Sequence, residues 1–331
     1  MHFLASLGNC RVKQRDNRQV CVSFRYRRHD SISRAYRPGS MAEKGGNMRH
    51  YNWHDIMDGL IFPEGPRWHG DRLWFSDILN FKVHALEPVS GRTTCVAEME
   101  DRPSGLGFLP DGRLLIATMG RRHLLRCDPA GTTLVADLSA LCESTNDMTV
   151  DPSGRAYINA YFADGTGGLI LVEPGGVSRI VATGMKLPNG MAVTADGSTL
   201  IVADFYGNAI HAFAISNDGS LGPRQLYADL GDRSPDGLCL DAEGAVWVGL
   251  PLQNRFERIL PGGEVTSVIE CGPRKAVACV LGGEDRRSLF LCMAEFPVER
   301  IKALMRNPRD AARHCRGWIG RADDIAIPGP P

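Results

Sequence analysis

The chain has 331 residues, a formal net charge of zero and a hydrophobic content of 43%. This length suits one large domain or two ordinary ones, with enough apolar residues for a real core. A net charge of zero gives no overall electrostatic support for binding nucleic acid or an anionic membrane surface, so neither partner is expected. No apolar run approaches the roughly 18 residues needed to span a bilayer.

Residues 1–50 differ in composition from the rest of the chain. They contain eleven Lys or Arg residues against three acidic residues. An Arg-rich, acid-poor segment is typical of a transit peptide. It is equally typical of a disordered or non-native extension, with Met41 or Met48 nearer the start of the protein. We favour the second interpretation and expect a single domain over residues 51–331.

The ten cysteines are scattered and form no C-x-x-C pair. Several lie inside apolar, strand-like runs, among them Cys239 and Cys292. This distribution predicts reduced, buried thiols rather than a disulfide framework or a zinc site. We therefore expect an intracellular, cytoplasmic protein.

Six segments of the chain share one form: an apolar run, a turn of the Asp-Gly type, and a second apolar run rich in β-forming residues. The turn positions are Gly70, Gly112, Gly154, Gly197, Gly244 and, standing in for glycine, Asp285. They are 41–47 residues apart, and further strand-like runs follow each hairpin. Four short strands per repeat predict an all-β fold, a six-bladed β-propeller. Residues 299–315 are helical or loop-like, and a strand near residues 51–57 is expected to close the ring against the last blade.

One polar position recurs ahead of the turn, on the strand expected to line the central channel. In chain order it holds Glu64, Ser104, Asn146, Asn189, Asp236 and Val277. Pro-X-Gly sequences around three of them are also ordinary turn signals, but turns would not all fall at one phase of the repeat. Buried oxygens around one axis need a partner. Carboxylate and amide oxygens suit Ca²⁺, Mg²⁺ or Mn²⁺, so the pattern predicts a central site for one divalent cation.

These residues also carry a family resemblance. The motifs are Phe-Pro-Glu-Gly-Pro at 62–66, Asn-Asp at 146–147, Asn-Gly at 189–190 and Pro-Asp-Gly at 235–237. Over about residues 55–328 the chain resembles the gluconolactonase / senescence-marker-protein (regucalcin) / luciferin-regenerating-enzyme family of six-bladed propellers. The resemblance implies a lactone hydrolase with one divalent cation, Ca²⁺ before Mg²⁺, Mn²⁺ or Zn²⁺. It further implies metal ligands at Glu64, Asn189 and Asp236, with Asp236 also the catalytic base and Asn146 and Asp164 in contact with a small lactone substrate.

One departure from the family pattern affects the substrate. Sugar-lactone members often have an arginine two residues before the equivalent of Asn146, where this chain has Ser144. Loss of that donor argues against a polyhydroxylated aldonolactone. Two alternatives stay open: metal-dependent hydrolysis of a phosphotriester or aryl ester on the same propeller, and a non-catalytic calcium-binding propeller. The sequence contains no G-x-S-x-G motif for a nucleophilic serine.

Overall fold

The structure, a computed structural model, describes residues 48–128 and 130–330. The proposed extension therefore lies almost entirely outside the described residues. The described chain forms six sheets, each of four strands or more, arranged as the blades of a propeller. The six-bladed fold predicted from the repeat is confirmed.

The first two strands and the first three blades have the following bounds. The N-terminal strands are Arg49–His50 (β1) and His54–Leu60 (β2). Blade one contains Pro63–His69 (β3), Arg72–Asp77 (β4), Lys82–Glu87 (β5) and Arg92–Glu98 (β6). Blade two contains Pro103–Phe108 (β7), Leu114–Thr118 (β8), His123–Asp128 (β9) and Gly131–Asp137 (β10). Blade three contains Ser144–Val150 (β11), Ala156–Tyr161 (β12), Gly167–Val172 (β13) and Ser178–Met185 (β14).

The remaining strands complete the ring. Blade four contains Pro188–Val193 (β15), Thr199–Asp204 (β16), Ala209–Ala214 (β17) and Gln225–Asp229 (β18). Blade five contains Leu238–Leu240 (β19), Val246–Leu250 (β20), Arg255–Ile259 (β21) and Val265–Glu270 (β22). Blade six contains Lys275–Gly282 (β23), Ser288–Glu295 (β24) and Arg316–Ala322 (β25). The first strands of the blades, β3, β7, β11, β15, β19 and β23, contact one another in ring order and therefore line the central channel.

The ring is closed by a strand from the N-terminal side of the repeats. Strand β2 pairs antiparallel with β25, as in His54 with Arg321, and supplies the fourth strand of blade six. This confirms the predicted closure near residues 51–57. Strand β1 adds in parallel to β22, so the outer edge of blade five is covered by residues just upstream of the expected domain start.

The hairpin turns follow from their aspartates and glycines. In blade three the Asp151 carboxylate accepts backbone hydrogen bonds from Ser153 and Arg155, each at 2.9 Å. Gly154 has φ of +81°, a conformation that costs glycine little. Asp241 makes the equivalent bonds in blade five. The repeated turn signal therefore builds one local structure, which explains why it predicted the fold so directly.

A helical segment interrupts blade six between β24 and β25. It consists of a 3₁₀ turn at Val298–Arg300, helix α1 at Ile301–Arg306 and helix α2 at Pro308–His314. The side chain of Asn307 caps α2, and Pro308 at its first position has no N–H that would need a partner. Residues 299–315 were predicted to be helical or loop-like, and the structure shows mainly short helices there. None of the helices in the described residues is long and apolar enough to cross a membrane.

Six cysteines of the described chain are buried thiols outside any disulfide: Cys142, Cys239, Cys271, Cys279, Cys292 and Cys315. Burial raises the pKa of the Cys271 and Cys279 thiols, which keeps them protonated. These cysteines behave as small hydrophobic residues, as the sequence predicted.

Candidate active site

The recurring polar position falls at one end of the central channel. Glu64 lies in β3, Ser104 in β7, Asn146 in β11, Asn189 in β15, Asp236 two residues before β19, and Val277 in β23. Glu64, Asn189 and Asp236 are all buried. The structure therefore places the predicted positions on successive inner strands, with blade six contributing an apolar side chain.

Four inner strands are irregular at this position. The pairing register with the second strand shifts, as at a β-bulge, between Glu64 and Arg67, Pro103 and Leu106, Thr145 and Met148, and Pro188 and Met191. A bulge re-aims side chains and recurs beside active sites. The shared irregularity is the local reason that these polar residues leave the regular in-and-out alternation of a strand.

The glycine after the polar residue allows neighbouring inner strands to approach closely. A Cβ atom on Gly190 would lie 2.4 Å from Leu238 N and 2.6 Å from Asp236 O. The amide of Gly190 donates to that same carbonyl of Asp236, with an N···O distance of 3.2 Å. Gly190 has no positive φ, so the turn interpretation of the Asn-Gly pair is wrong here. Glycine is present because the two inner strands nearly touch.

Three carboxylates share the buried end of the channel. Burial and, to a smaller extent, the charge of Asp147 raise the pKa of Glu64 to about 8 against the opposing effects of the Gly65 amide and Arg67. Burial, Glu64 and Asp147 together raise the pKa of Asp236 well above its usual range. Buried like charges disfavour one another's ionised forms. The site is therefore short of positive charge.

One protein cation partly offsets these carboxylates. Arg67 Nη2 lies 3.0 Å from Asp147 Oδ1 and also donates to the carbonyl of Met148. Sequence reasoning missed both members of this pair. Asp147 is adjacent to Asn146, and regular strand alternation would send it to the opposite face, but the bulge between Thr145 and Met148 breaks that alternation. The only signal in the sequence was the Asn-Asp pair itself.

A chain of hydrogen bonds links the neutral polar residues across three blades. Ser104 Oγ donates to Asn146 Oδ1 at 2.7 Å, and Asn146 Nδ2 donates to Asn189 Oδ1 at 3.3 Å. Asn159 Nδ2 donates to the backbone carbonyl of Asn189 at 2.7 Å. The two side-chain bonds orient the amides of Asn146 and Asn189, and the bond from Asn159 holds the backbone of Asn189. The second lone pair of Asn189 Oδ1 is left for another partner.

The donor set fits a divalent cation. Asp236 Oδ1 is buried and has no hydrogen-bond partner among the described residues, which is costly for a carboxylate oxygen. A cation would partner this oxygen and offset the repulsion between Glu64 and Asp236. Across the described residues no cluster of three or more His, Cys, Asp or Glu side chains is arranged to hold a metal. The candidate set differs because one of its three ligands, Asn189, is an amide.

Two aspartates that sequence reasoning missed hold the segments leading into the ligands. The Asp77 carboxylate accepts from the amides of Ile61 and Phe62, at 3.0 and 2.7 Å, just before Glu64. In blade four the Asp204 carboxylate accepts from the amides of residues 186 and 187, just before Asn189. Asp77 and Asp204 each lie seven residues after the turn glycine of their repeat, a shared phase that was visible in the sequence.

Asp164 lies apart from the other site residues. It is exposed in the loop between β12 and β13, and its carboxylate accepts from the amide and hydroxyl of Thr166 at 2.9 and 2.7 Å. That loop is at the same end of the propeller as the site, because β12 ends beside Ser144 at the start of β11. Ser144 Oγ donates to the carbonyl of Met119 at 3.3 Å.

These features define a six-bladed propeller with a ring of buried oxygens at one end of its channel. Residues 62–295 match the family described as SMP-30/Gluconolactonase/LRE-like region. The match covers more than half of the chain. The chain belongs to this family.

Individual relatives agree with the family match. The pentonolactonase XacC of Haloferax volcanii is 26% identical over 237 residues, covering 70% of this chain and 81% of the relative. The 6-deoxy-6-sulfogluconolactonase of Pseudomonas putida is 26% identical over 246 residues, covering 71% and 84%. A solved structure, the calcium-binding protein regucalcin of Agrobacterium tumefaciens, superposes with a TM-score of 0.70 at 22% identity, covering 86% of this chain and 97% of that one. This last similarity concerns the fold.

Proposed function

We propose that the protein is a metal-dependent lactone hydrolase in which Glu64, Asn189 and Asp236 hold one divalent cation. The observation that carries the proposal is the buried Asp236 Oδ1, which has no hydrogen-bond partner within the described part of the chain and belongs to a group of three carboxylates and one arginine. All-oxygen donors favour Ca²⁺, with Mg²⁺, Mn²⁺ and Zn²⁺ as alternatives. The lactonase names of the two relatives support lactone opening as the reaction.

Asp236 serves as the general base of the proposed reaction. When bound, a divalent cation supplies Lewis-acid polarisation of the lactone carbonyl and acidifies water. Asp236 accepts the proton of the attacking water as the oxygen bonds to the carbonyl carbon. The ring C–O bond then breaks, and the proton passes to the departing alkoxide, giving a hydroxy acid. Burial and the neighbouring carboxylates raise the pKa of Asp236, and a bound cation would offset this effect and favour the ionised carboxylate, which is the form that can accept a proton.

Asn146 and Asp164 are the proposed substrate contacts. Asn146 is held by Ser104 and Asn189 in a fixed orientation beside the ligands, so its amide can orient the lactone. Asp164 would contact the substrate from its exposed position in the loop between β12 and β13, at the same end of the propeller. Ser144, which gives no strong donor at this end of β11, disfavours a polyhydroxylated ring.

The test is a substrate panel with metal-stripped protein and each cation added back. We expect a lactone to be opened only after a cation is restored. Asp236→Asn should lower the rate about 10²- to 10⁴-fold, the usual contribution of a general base. Asp232→Asn, the same change at an exposed position four residues earlier, should leave the rate unchanged.

Three outcomes would contradict parts of the proposal. Hydrolysis of phosphotriesters or aryl esters in place of lactones would show that the protein is a metal-dependent hydrolase of that other class. Cation binding without turnover of any substrate would favour the non-catalytic propeller. An Asp236→Asn variant with full activity would remove Asp236 as the base.

A further inference from the structure

The helical segment of blade six, residues 298–314 and here called the helical cap, lies at the same end of the propeller as Glu64. It follows β24, whose last residues pair with the first residues of β23, as in Ala294 with Lys275. Val277, at the recurring polar position, is two residues into β23 from there. The helical cap therefore leaves the sheet at the site end of the channel.

One side of the helical cap is packed firmly on the propeller. Leu304 and Ala311 are completely buried in an apolar cluster with Phe62 and Ile78 of blade one. Met119, in the loop after β8 of blade two, packs against the same cluster. On this side Arg102 Nη1, ahead of blade two, also donates to the carbonyl of Met305 at 2.6 Å. The helical cap is thus anchored on blades six, one and two.

The opposite side reaches blade four. Lys302 Nζ lies 5.8 Å from the ring centroid of Tyr206, within the range of a cation–π contact. Tyr206 follows β16, whose last residue, Asp204, pairs with Pro188 at the site end of β15. Blades one and four face each other across a ring of six. The helical cap therefore contacts residues on opposite sides of the ring, at the end of the channel that holds the site.

The two sides differ greatly in strength. On the anchored side, complete burial of the Leu304 and Ala311 side chains removes their apolar surface from water and stabilises the contact with the propeller. The Lys302–Tyr206 contact is a single exposed pair, and Tyr206 is 49% exposed. Exposed cation–π contacts are weak. The edge along blade four is therefore the one that can open.

We propose that the helical cap limits the size of the molecule that reaches Glu64, Asn189 and Asp236, and that Lys302 and Tyr206 determine this limit by closing its free edge. The substrate class that follows is compact lactones with short substituents. The prediction of compact lactones as substrates rests on the proposed lactonase function. The proposed size limit does not depend on that function.

The kinetic test compares a compact aliphatic lactone with a bulky aromatic one. In Tyr206→Ala we expect the ratio of kcat/KM for the bulky lactone to that for the compact one to rise about 2- to 5-fold, the loss of one exposed cation–π contact. The compact lactone should keep its kcat. Tyr206→Phe retains the ring and should behave as the unsubstituted protein. Arg313→Ala removes an exposed cation from the last turn of α2 and should also leave the ratio unchanged. An unchanged ratio in Tyr206→Ala would overturn the proposal.

A second test needs no catalysis. Asn146→Cys places a thiol in the channel, and peptide mass spectrometry follows its labelling by a small methanethiosulfonate and by a bulky fluorescent maleimide. We expect the bulky reagent to be selectively slowed, and the added change Tyr206→Ala to relieve this. If the ratio of the labelling rates of the bulky and the small reagent is the same with and without Tyr206→Ala, the proposal is overturned. If Asn146→Cys fails to fold, Ser144→Cys on the same strand replaces it.

The two tests separate the failures. If no lactone is opened but labelling depends on Tyr206, the size limit stands and the lactonase function falls. If lactones are opened and neither the substrate ratio nor the labelling depends on Tyr206, the function stands and the size limit falls.

Discussion

Glu64 and Asp236 are the residues of the candidate site that were easiest to predict from the sequence. Both were predicted from their repeat phase and their Pro-X-Gly setting, and both are buried at the channel end. Asp147 and Arg67 were not predicted, because one depends on a bulge and the other on a contact 80 residues away. A repeat reveals what each blade shares. It does not reveal a pair that forms between blades.

The histidines do not occur at one common position of the repeat, and His84 is a buried residue of strand β5. Burial, with a smaller contribution from Lys82, lowers its pKa from 6.5 to about 4. Neither ring nitrogen has a hydrogen-bond partner among the described residues, and the ring stacks on Phe75 at 5.4 Å. The His84 imidazole is therefore harder to protonate in the folded protein than in the unfolded chain.

His84 should make the fold sensitive to acid. Because the folded pKa is depressed, its contribution to stability is fully present above about pH 6.5 and is lost as the pH falls towards 4. Between about pH 7.5 and 4.5 the loss amounts to about 2–3 kcal/mol. His84→Phe should remove that part of the pH dependence, measured by urea unfolding at both pH values. The exposed His54→Phe is the control, and equal pH dependence in all three proteins would refute the assignment.

At the scale of the element, turn chemistry explains why the strands were predictable. Asp151 and Gly154 form the same hairpin that Asp241 and Gly244 form two blades later, and all the necessary residues lie within five positions. The bulges at the ligands were not predicted, because a register shift appears only when the partner strand is known. The helices were expected near residues 299–315, but their place over the channel depends on packing against blades one and two.

Gly190 tests the close approach of two inner strands. Gly190→Ala forces a Cβ against backbone atoms of Asp236 and Leu238 that cannot move independently. We expect a loss of about 1–3 kcal/mol in the free energy of unfolding, the usual cost of overpacking, and a larger fractional loss of lactone hydrolysis. Gly175→Ala, at a glycine with nothing within 4 Å of the added Cβ, is the matched control. A Gly190→Ala variant as stable and active as the control would show that the strands have room.

At the scale of the whole molecule, the repeat predicts a ring but not what covers its two ends. Strand β2 completes blade six, as expected for a ring that must leave no open edge. At the end away from the site, Pro330 lines a cavity of about 460 Å³ together with residues of blades two to four, among them Phe108, Val150 and Val193. At the site end the helical cap contacts blades one and four, on opposite sides of the ring. Both covers lie outside the repeated strands: one is the helical segment between β24 and β25, and the other includes the last described residue, Pro330.

The measurement that tests the central claim most directly is a calorimetric titration of Ca²⁺ into metal-stripped protein, compared with Glu64→Gln. The amide keeps the shape of Glu64 and removes one of the two ligand charges that a divalent cation would neutralise. We predict one cation per chain, and a loss of affinity in the variant greater than the roughly 10- to 100-fold typical of an outer-shell contact. The exposed Asp232→Asn should bind as the unsubstituted protein does. Equal affinity and stoichiometry in Glu64→Gln would contradict a metal site at the head of the channel.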